Sequence, residues 1–285
     1  MKTIGIVGNK GKPEARIVAR ELVYLLEARG AKVLLDEQMA SYVDRVDIGT
    51  SLEVIGAEAQ LLCVLGGDGT LLGIARRLAG ASLPILGINL GTLGFLSEAD
   101  PEDLPQAVDK LLSGQYYLEE RTMLDAELVR NQTKLARYTA MNDIGIAKGS
   151  FCRIIQCTVY LDDVYVGTFS GDGVIVSSPT GSTAYSLSAG GPIVAPNVDM
   201  LLLTPVAPHS LTARPMVLSP NQVIRIEVDA VHHEMGLSID GQFGCKLEGG
   251  DQIFIWKSSY VTPLIRWKKG SFFETIRTKL QGEWE

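Results

Sequence analysis

The sequence predicts an α/β N-terminal domain with a parallel sheet, followed by a β-rich, sandwich-like C-terminal domain. Three observations carry this. Strand and helix patterns alternate through the first hundred residues. From Tyr116 to about Ile265 the chain reads as short β segments separated at regular intervals by turn residues. No internal repeat or low-complexity linker divides the two parts, so close packing is expected, with the active site in the cleft between them. The expected limits are 1–100 for the α/β domain and 101–270 for the β-rich domain, with a helix over about 271–285 returning to the first.

Thr3 to Gly8, TIGIVG, reads as a short buried strand. Pro13 stands near the start of the next helix, where its missing N–H is no loss. Ala15, Val18, Ala19, Leu22, Val23 and Leu26 fall on one helical face. Gly30 ends that helix, and AKVLLD is a second strand. QLLCVLG is a third strand, the segment after Gly69 a helix, and LPILGINLG a further strand. Such a sheet is covered on both faces, and ligands bind at the carboxyl ends of its strands. Gly66-Gly67-Asp68 and Asn89-Leu90-Gly91 fall at such ends. ADPEDLPQAVDKLLSGQ reads as one helix running from Asp100-Pro101 to Gly114. Beyond it LDAELVR, IIQCTVYLD, GVIVSS, VIRIEVDA, GLSIDGQ and DQIFIWK read as strands. One helix interrupts them near Ser182 to Ala189, and FFETIRTKLQG is the closing helix.

Composition narrows the function classes. The 285 residues are 46% hydrophobic and carry a net charge of -7, an ordinary globular balance. No long basic run exists, which argues against nucleic acid as a partner but leaves a small anionic ligand open. The four cysteines, Cys63, Cys152, Cys157 and Cys245, form no C-x-x-C pair and read as free thiols in a reducing compartment. Of the three histidines, His209 stands alone, and His232 and His233 would point to opposite faces of a strand, so no metal site is expected from them. No apolar run approaches the roughly 20 residues that span a bilayer. The N-terminus reads as a strand and not as a signal peptide, which makes the cytoplasm the expected location.

The stretch LLCVLGGDGTLLGIARRL places one acid, Asp68, among glycines at a strand tip. Backbone N–H groups at Gly66, Gly67 and Gly69, with Thr70 opening a helix, make a corner suited to phosphate. Asn89 belongs to the neighbouring strand end. An acid in a phosphate corner needs a separate task. It holds Mg²⁺ shared with phosphates, or it takes a proton from an attacking hydroxyl. Alternatively Asp68 only caps the helix. There is no G-x-x-x-x-G-K-[ST] motif and no G-x-G-x-x-G after the first strand, so neither a P-loop enzyme nor a dehydrogenase of the usual kind is expected.

A second rich stretch is SGDGVIVSSPTGSTAYSLSAGGPIV, Ser170 to Val194. It offers an acid (Asp172), a run of small hydroxyl residues, and Tyr185 as a flat face for a base. It also reads as an ordinary turn with Ser182 as a cap. Asn142-Asp143 offers an amide and a carboxylate, suited to the two hydroxyls of a ribose, and is also a turn-forming pair. Asp240-Gly241 reads as a hairpin turn, with Gln242 beside it.

Taken together these stretches resemble the NAD kinase family, especially its bacterial members. GGDGT, NLGTLGFL, ND at Asn142 and Asp143, GDGVIVSSPTGSTAYSLSAGGPIV, PHSLTARPMVLSP and DGQ occur in the family's order over most of the chain. GGDGT alone is shared with diacylglycerol, sphingosine and 6-phosphofructokinase relatives; PTGSTAYSLSAGGPI is the specific element. The resemblance implies phosphoryl transfer from ATP, or polyphosphate, to the 2′-hydroxyl of the adenosine ribose of NAD, giving NADP. It implies a divalent cation, Mg²⁺, with the donor, and a homodimer or homotetramer. It makes Asp68 the catalytic base with Gly69 beside the ligand, and puts Asn142 and Asp143 on ribose hydroxyls. Asp172 would contact a base or the nicotinamide amide. Thr183, Ala184, Tyr185, Ser186, Leu187 and Ser188 would form a substrate-binding run with Tyr185 against adenine, and Gln242 and Arg153 would add polar contacts. Two positions depart from the pattern: Ser170 stands where many members carry an arginine, and Gly73 where some carry a basic residue. Lys10, Lys12, Arg153 or a residue of a partner subunit are candidates to compensate, although the lysines also read as surface charge. The rival readings are a kinase of the same superfamily acting on a lipid or another hydroxyl, a non-catalytic nucleotide-binding module, and a nicotinamide-dependent oxidoreductase.

Overall fold

The computed structural model describes residues 1–92, 94–149, 154–229, 235–267 and 270–280 of the chain. It consists of two units, Met1–Glu120 with Thr262–Glu285, and Arg121–Val261.

The first unit contains β1 (Thr3–Gly8), α1 (Ala15–Ala28), β2 (Lys32–Asp36), α2 (Glu37–Tyr42), β3 (Gly49–Thr50), α3 (Leu52–Glu58), β4 (Leu61–Gly66), α4 (Asp68–Arg77), β5 (Ile85–Asn89) and α5 (Leu104–Ser113). Its strands are parallel and ordered β5-β4-β1-β2-β3. Every residue of β4 and β5 is buried, as strands covered on both faces require. Helix α1 buries the predicted face, Ala15, Val18, Ala19, Leu22, Val23 and Leu26. Gly30, with φ 77°, ends it in the left-handed region. The chain steps outward from β1 to β3, then crosses back to β4. The strand order therefore reverses between β1 and β4, which is where an open α/β sheet leaves a crevice at its carboxyl ends.

Two sequence-based expectations are corrected here. Residues 100–114 are not one helix: a 3₁₀ turn, Pro101–Asp103, precedes α5. Pro105 has no N–H to bond the Pro101 carbonyl, so the two turns do not fuse. The boundary at residue 100 also assigns this helix to the β-rich domain. Instead α5 buries Leu104, Ala107, Val108 and Leu111 in the core of the first unit.

The second unit contains β6 (Tyr117–Arg130, entering from the first unit), β7 (Thr133–Ala140), β8 (Asp143–Lys148), β9 (Ile155–Leu161), β10 (Val164–Gly171), β11 (Gly173–Ser177), α6 (Tyr185–Ser188), β12 (Leu201–Val206), β13 (Met216–Leu218), β14 (Ile224–Asp229), β15 (Met235–Ile239), β16 (Phe243–Leu247) and β17 (Gln252–Arg266). One layer runs β10-β9-β14-β17 with the β6–β7 hairpin; the other runs β13-β12-β11-β8-β15-β16. Alternate residues of both layers, Ile155, Cys157 and Val159 from one, Val174 and Val176 from the other, meet in a single core. The helix expected near Ser182 to Ala189 is shorter: a 3₁₀ turn, Thr180–Thr183, then the single turn α6. The hydroxyls of Ser182 and Thr183 donate to the carbonyls of Pro179 and Thr180, which competes with longer helix formation.

β17 carries the chain back to the first unit, where Leu264 pairs in parallel with Ile85. Helix α7 (Ser271–Leu280) follows, with the Phe272 ring 5.9 Å from that of Phe95. Cys63 and Cys157 are buried free thiols that burial pushes up to about 12, so neither is a nucleophile. Cys152, Arg153, His232 and His233 lie outside the described residues.

Candidate active site

In the first unit the site grows from the strand reversal. β4 ends at Gly66, and Asn9 at the end of β1 donates its N–H to the Leu65 carbonyl at 2.9 Å. Gly67 is the N-cap of α4, with no side-chain bond to the helix. Asp68 is the first helical residue and is half-buried. Its carboxylate does not cap its own helix. Oδ2 accepts from the Phe95 N–H at 2.8 Å and Oδ1 from the Leu96 N–H at 3.1 Å. The capping alternative is therefore set aside: the acid is anchored from the loop after β5 and held at the positive end of α4.

That loop is itself fixed. The guanidinium of Arg266, 3% exposed, donates to the Phe95 and Ser97 carbonyls at 2.9 and 2.8 Å and pairs with Glu98. Gly94 lies against the acid so closely that a Cβ there would stand 2.0 Å from Asp68 Oδ1. Gly66 meets the Thr70 side chain in the same way, its Cβ position 2.5 Å from Oγ1. Thr70 thus packs over the strand tip. Gly69 is exposed beside it.

Asn89 pairs with Gly66 in register and is 5% exposed. Its Nδ2 donates to the Gly91 carbonyl at 2.9 Å and more distantly to Asp100, while its Oδ1 has no partner. It lines a cavity of about 350 Å³ with Glu14, Gly91, Asp100 and Glu102. Lys12 brings its Nζ to 3.3 Å from where a Cβ on Gly91 would stand. Of the two lysines in the loop after β1, this is the one the structure places over the β5 loop.

The second unit builds a separate cavity of about 220 Å³ at the start of β8, mostly apolar with a few polar groups. It is lined by Asn142, Asp143, Ala184, Tyr185, Ser238 and Asp240 among others. Ser178 Oγ donates to the Met141 carbonyl at 2.6 Å, and the Ser178 N–H to the Asn142 carbonyl at 2.9 Å. Gly181 passes so close that a Cβ would stand 2.1 Å from the Asn142 carbonyl oxygen. Of the expected site residues, Asn142, Asp143, Ala184 and Tyr185 line this cavity, while the bonds made by Ser178 and Asp240 were not expected from the sequence.

Asp143 is 5% exposed, and no hydrogen bond reaches its carboxyl among the described residues. Burial, and then the neighbouring Asp240, push it up to about 7. Asn142 Oδ1 and Ser177 Oγ are likewise buried without a partner. Such groups cost folding free energy unless a ligand satisfies them. The folded state holds the Asp143 proton up to about 7, the unfolded state only to about 4, so Asp143 lowers stability progressively as pH rises through that window. Asp143→Asn is therefore expected to stabilise the protein at pH 8 by up to about 4 kcal/mol and to leave it unchanged near pH 4. Melting curves at the two pH values check this, and equal shifts at both would contradict it.

The remaining expected site residues are placed differently. Asp172 pairs with Lys148 at 2.8 Å, outside the cavity lining. Ser186 is fully buried, and its hydroxyl meets Thr204 Oγ1 at 2.8 Å, which braces the turn. Thr183, Leu187, Ser188 and Gln242 do not line the cavity; Ser188 and Gln242 are exposed. Among the described residues no group of three or more His, Cys, Asp or Glu is placed to hold a metal ion. None of the described helices is long and apolar enough to cross a membrane.

A switch-point acid on an α/β unit, and on a β sandwich a cavity with a few polar groups, are the parts expected of a two-unit kinase. The family model of the ATP-NAD kinase N-terminal domain matches residues 4–116, and that of the C-terminal domain residues 141–267. The chain belongs to the ATP-NAD kinase family. It is 46% identical to the NAD kinase of Moorella thermoacetica over 282 residues, 99% of this chain and 90% of that one. It is 40% identical to the NAD kinase of Desulforamulus reducens over 285 residues, 100% and 99% of the two chains. The crystal structure of yeast NADH kinase complexed with NADH superimposes with a TM-score of 0.92 at 27% identity, covering 100% of this chain and 89% of that chain. An NAD kinase from Archaeoglobus fulgidus in complex with ATP shares the fold, with a TM-score of 0.76 at 24% identity over 98% of each chain.

Proposed function

We propose that the protein is an NAD kinase that transfers the γ-phosphoryl of ATP, or a terminal phosphoryl of polyphosphate, to the 2′-hydroxyl of the adenosine ribose of NAD. The observation that carries the reading is the Asn142 amide oxygen, buried without a partner among the described residues, beside the 5%-exposed Asp143 at one cavity. A ribose hydroxyl is a donor of the kind these groups accept. Tyr185, 51% exposed at this cavity, supplies a face for adenine.

In the transfer the 2′-oxygen forms a bond to the γ-phosphorus, the bond to the bridging β–γ oxygen breaks, and the hydroxyl proton passes to Asp68. Asp68 is suited to this because two backbone N–H groups fix its orientation. With Asp68 on the reacting 2′-hydroxyl, Asp143 and Asn142 hold the ribose through the neighbouring 3′-hydroxyl. The glycine corner at Gly66, Gly67 and Gly69 and the amino end of α4 receive phosphate oxygens. Lys12 over Gly91 supplies one cation, and Lys148, which anchors Asp172, a second in the other unit. These stand in for the basic residues absent at Gly73 and Ser170.

The donor brings a divalent cation, with Mg²⁺ the expected one. That no group of three or more acids, histidines or cysteines is placed to hold a metal among the described residues fits a metal that keeps its waters and is held largely by phosphate, not one caged by protein. When bound, it neutralises charge on the phosphoryl oxygens. The family resemblance further implies a homodimer or homotetramer working in the cytoplasm, and sedimentation of the purified chain decides between the two assemblies.

Incubation with NAD, ATP and Mg²⁺ is expected to yield NADP; absence of product with both ATP and polyphosphate would refute the reading. Because ionised Asp143 is the better acceptor, KM for NAD is expected to fall as pH rises through about 7 and then to level off. In Asp143→Asn that limb disappears. A KM independent of pH in the parent would remove Asp143 from the ribose.

A further inference from the structure

Asp240 follows β15 in the turn to β16, with φ 51° and Gly241 after it at φ 64°. The Gln242 N–H closes the turn on the Ile239 carbonyl at 3.0 Å. A turn of this kind asks nothing of the side chain beyond tolerance of positive φ. Yet the residue is 8% exposed, and its carboxylate collects three consecutive backbone donors. The N–H of Met141 lies 3.1 Å from each oxygen, and those of Asn142 and Asp143 lie 2.7 and 3.1 Å from Oδ1. In return the Asp240 N–H donates to the Asp143 carbonyl at 2.9 Å. Successive N–H groups converging in this way form an anion nest, and here the chain fills it with its own acid.

We propose that Asp240 is a positioning residue of the ribose site: by clamping the backbone of Met141–Asp143 it aims the Asn142 and Asp143 side chains into the cavity. The proposal rests on the ribose reading above. Two arguments support it. The clamp grips the backbone of Asn142, whose buried side-chain Oδ1 has no partner among the described residues, and of Asp143 beside it, so the backbone helps set where these side chains stand. The clamping charge also faces Asp143 and opposes its ionisation. No other charge does so from the strands around it: β11 and β15 carry none, and Lys148 sits at the far end of β8, paired with Asp172. Tyr185 is the remaining titratable group lining the cavity.

The test is the pH profile of KM and kcat for the full chain and for Asp240→Asn, Asp240→Glu and Asp143→Asn. Asn accepts positive φ as Asp does, so Asp240→Asn keeps the turn and removes the charge. It is expected to raise KM for NAD about tenfold with kcat changed by less than about threefold. It is also expected to move the midpoint of the KM limb down by about one pH unit. Asp240→Glu keeps the charge and leaves the midpoint in place; should the Asn variant not fold, a midpoint shift in the Glu variant would overturn the proposal. An unmoved midpoint in Asp240→Asn, with KM raised in Asp143→Asn, makes Asp240 a turn residue only and leaves the ribose reading standing. An unchanged KM in Asp143→Asn removes the ribose reading and this proposal with it.

Discussion

Asp68→Asn is expected to lower kcat by roughly three orders of magnitude, or about 4 kcal/mol of transition-state stabilisation, while NAD still binds. The amide keeps the size of the acid and loses its ability to take the hydroxyl proton. Its Oδ1 can still accept one of the two N–H groups of Phe95 and Leu96. The other then faces an amide NH₂, so the side chain tilts and adds to the loss. Initial rates of NADP formation, with NAD affinity measured separately by titration, check this. A variant that retains a tenth of the parent's kcat would reduce Asp68 to an assisting group. A variant that loses NAD binding as well would place it on the substrate and not on the proton.

Gly94→Ala is expected to reduce kcat about a hundredfold without altering any chemical group of the site. The added methyl would lie 2.0 Å from Asp68 Oδ1 and 2.7 Å from its Cγ, distances no packed carbon and oxygen adopt. Either the carboxylate leaves the Phe95 and Leu96 N–H groups or the loop retreats. A displacement on the order of 1 Å in a positioned catalytic group costs about this much. Because Arg266 holds the Phe95 and Ser97 carbonyls from behind, the loop gives less readily than the acid. KM for NAD is expected to stay within about threefold, since Asn142 and Asp143 lie in the other unit. An unchanged kcat would mean that the exact seat of Asp68 is unimportant, and would weaken its assignment as the base.

The two tests separate what the acid is from where it is held, and the sequence speaks to these unequally. Periodicity in α1 and the glycine stops at Gly30 and Gly114 announce their elements, because local hydrophobic spacing and positive φ are properties of short stretches. The alternating strands and helices are enough to predict the parallel sheet, and the crowding of GGDGT and Asn89 at strand ends points to the corner proposed to take phosphate. The resemblance to NAD kinases rests on whole motifs, and the family models match the same segments.

Other features become visible only with the chain folded. That Asp68 is anchored by Phe95 and Leu96, with Gly94 making room and Arg266 bracing the loop, joins positions up to 198 residues apart, Asp68 to Arg266. The unit boundary after Glu120 follows from which core α5 buries, a matter of packing that an amphipathic stripe does not reveal. That the Ser186 hydroxyl in the run TAYSLS meets Thr204 is not visible in the sequence. Asp240 looks like half of a turn until its carboxylate is found beneath Asn142. By itself the sequence determined the elements, the chemical types at the strand ends and the family, since all of these are written in neighbouring residues. The tertiary structure alone decided which polar groups are spent on one another and which are left for a substrate, because hydrogen bonds and desolvation depend on partners that the chain brings together only when it folds.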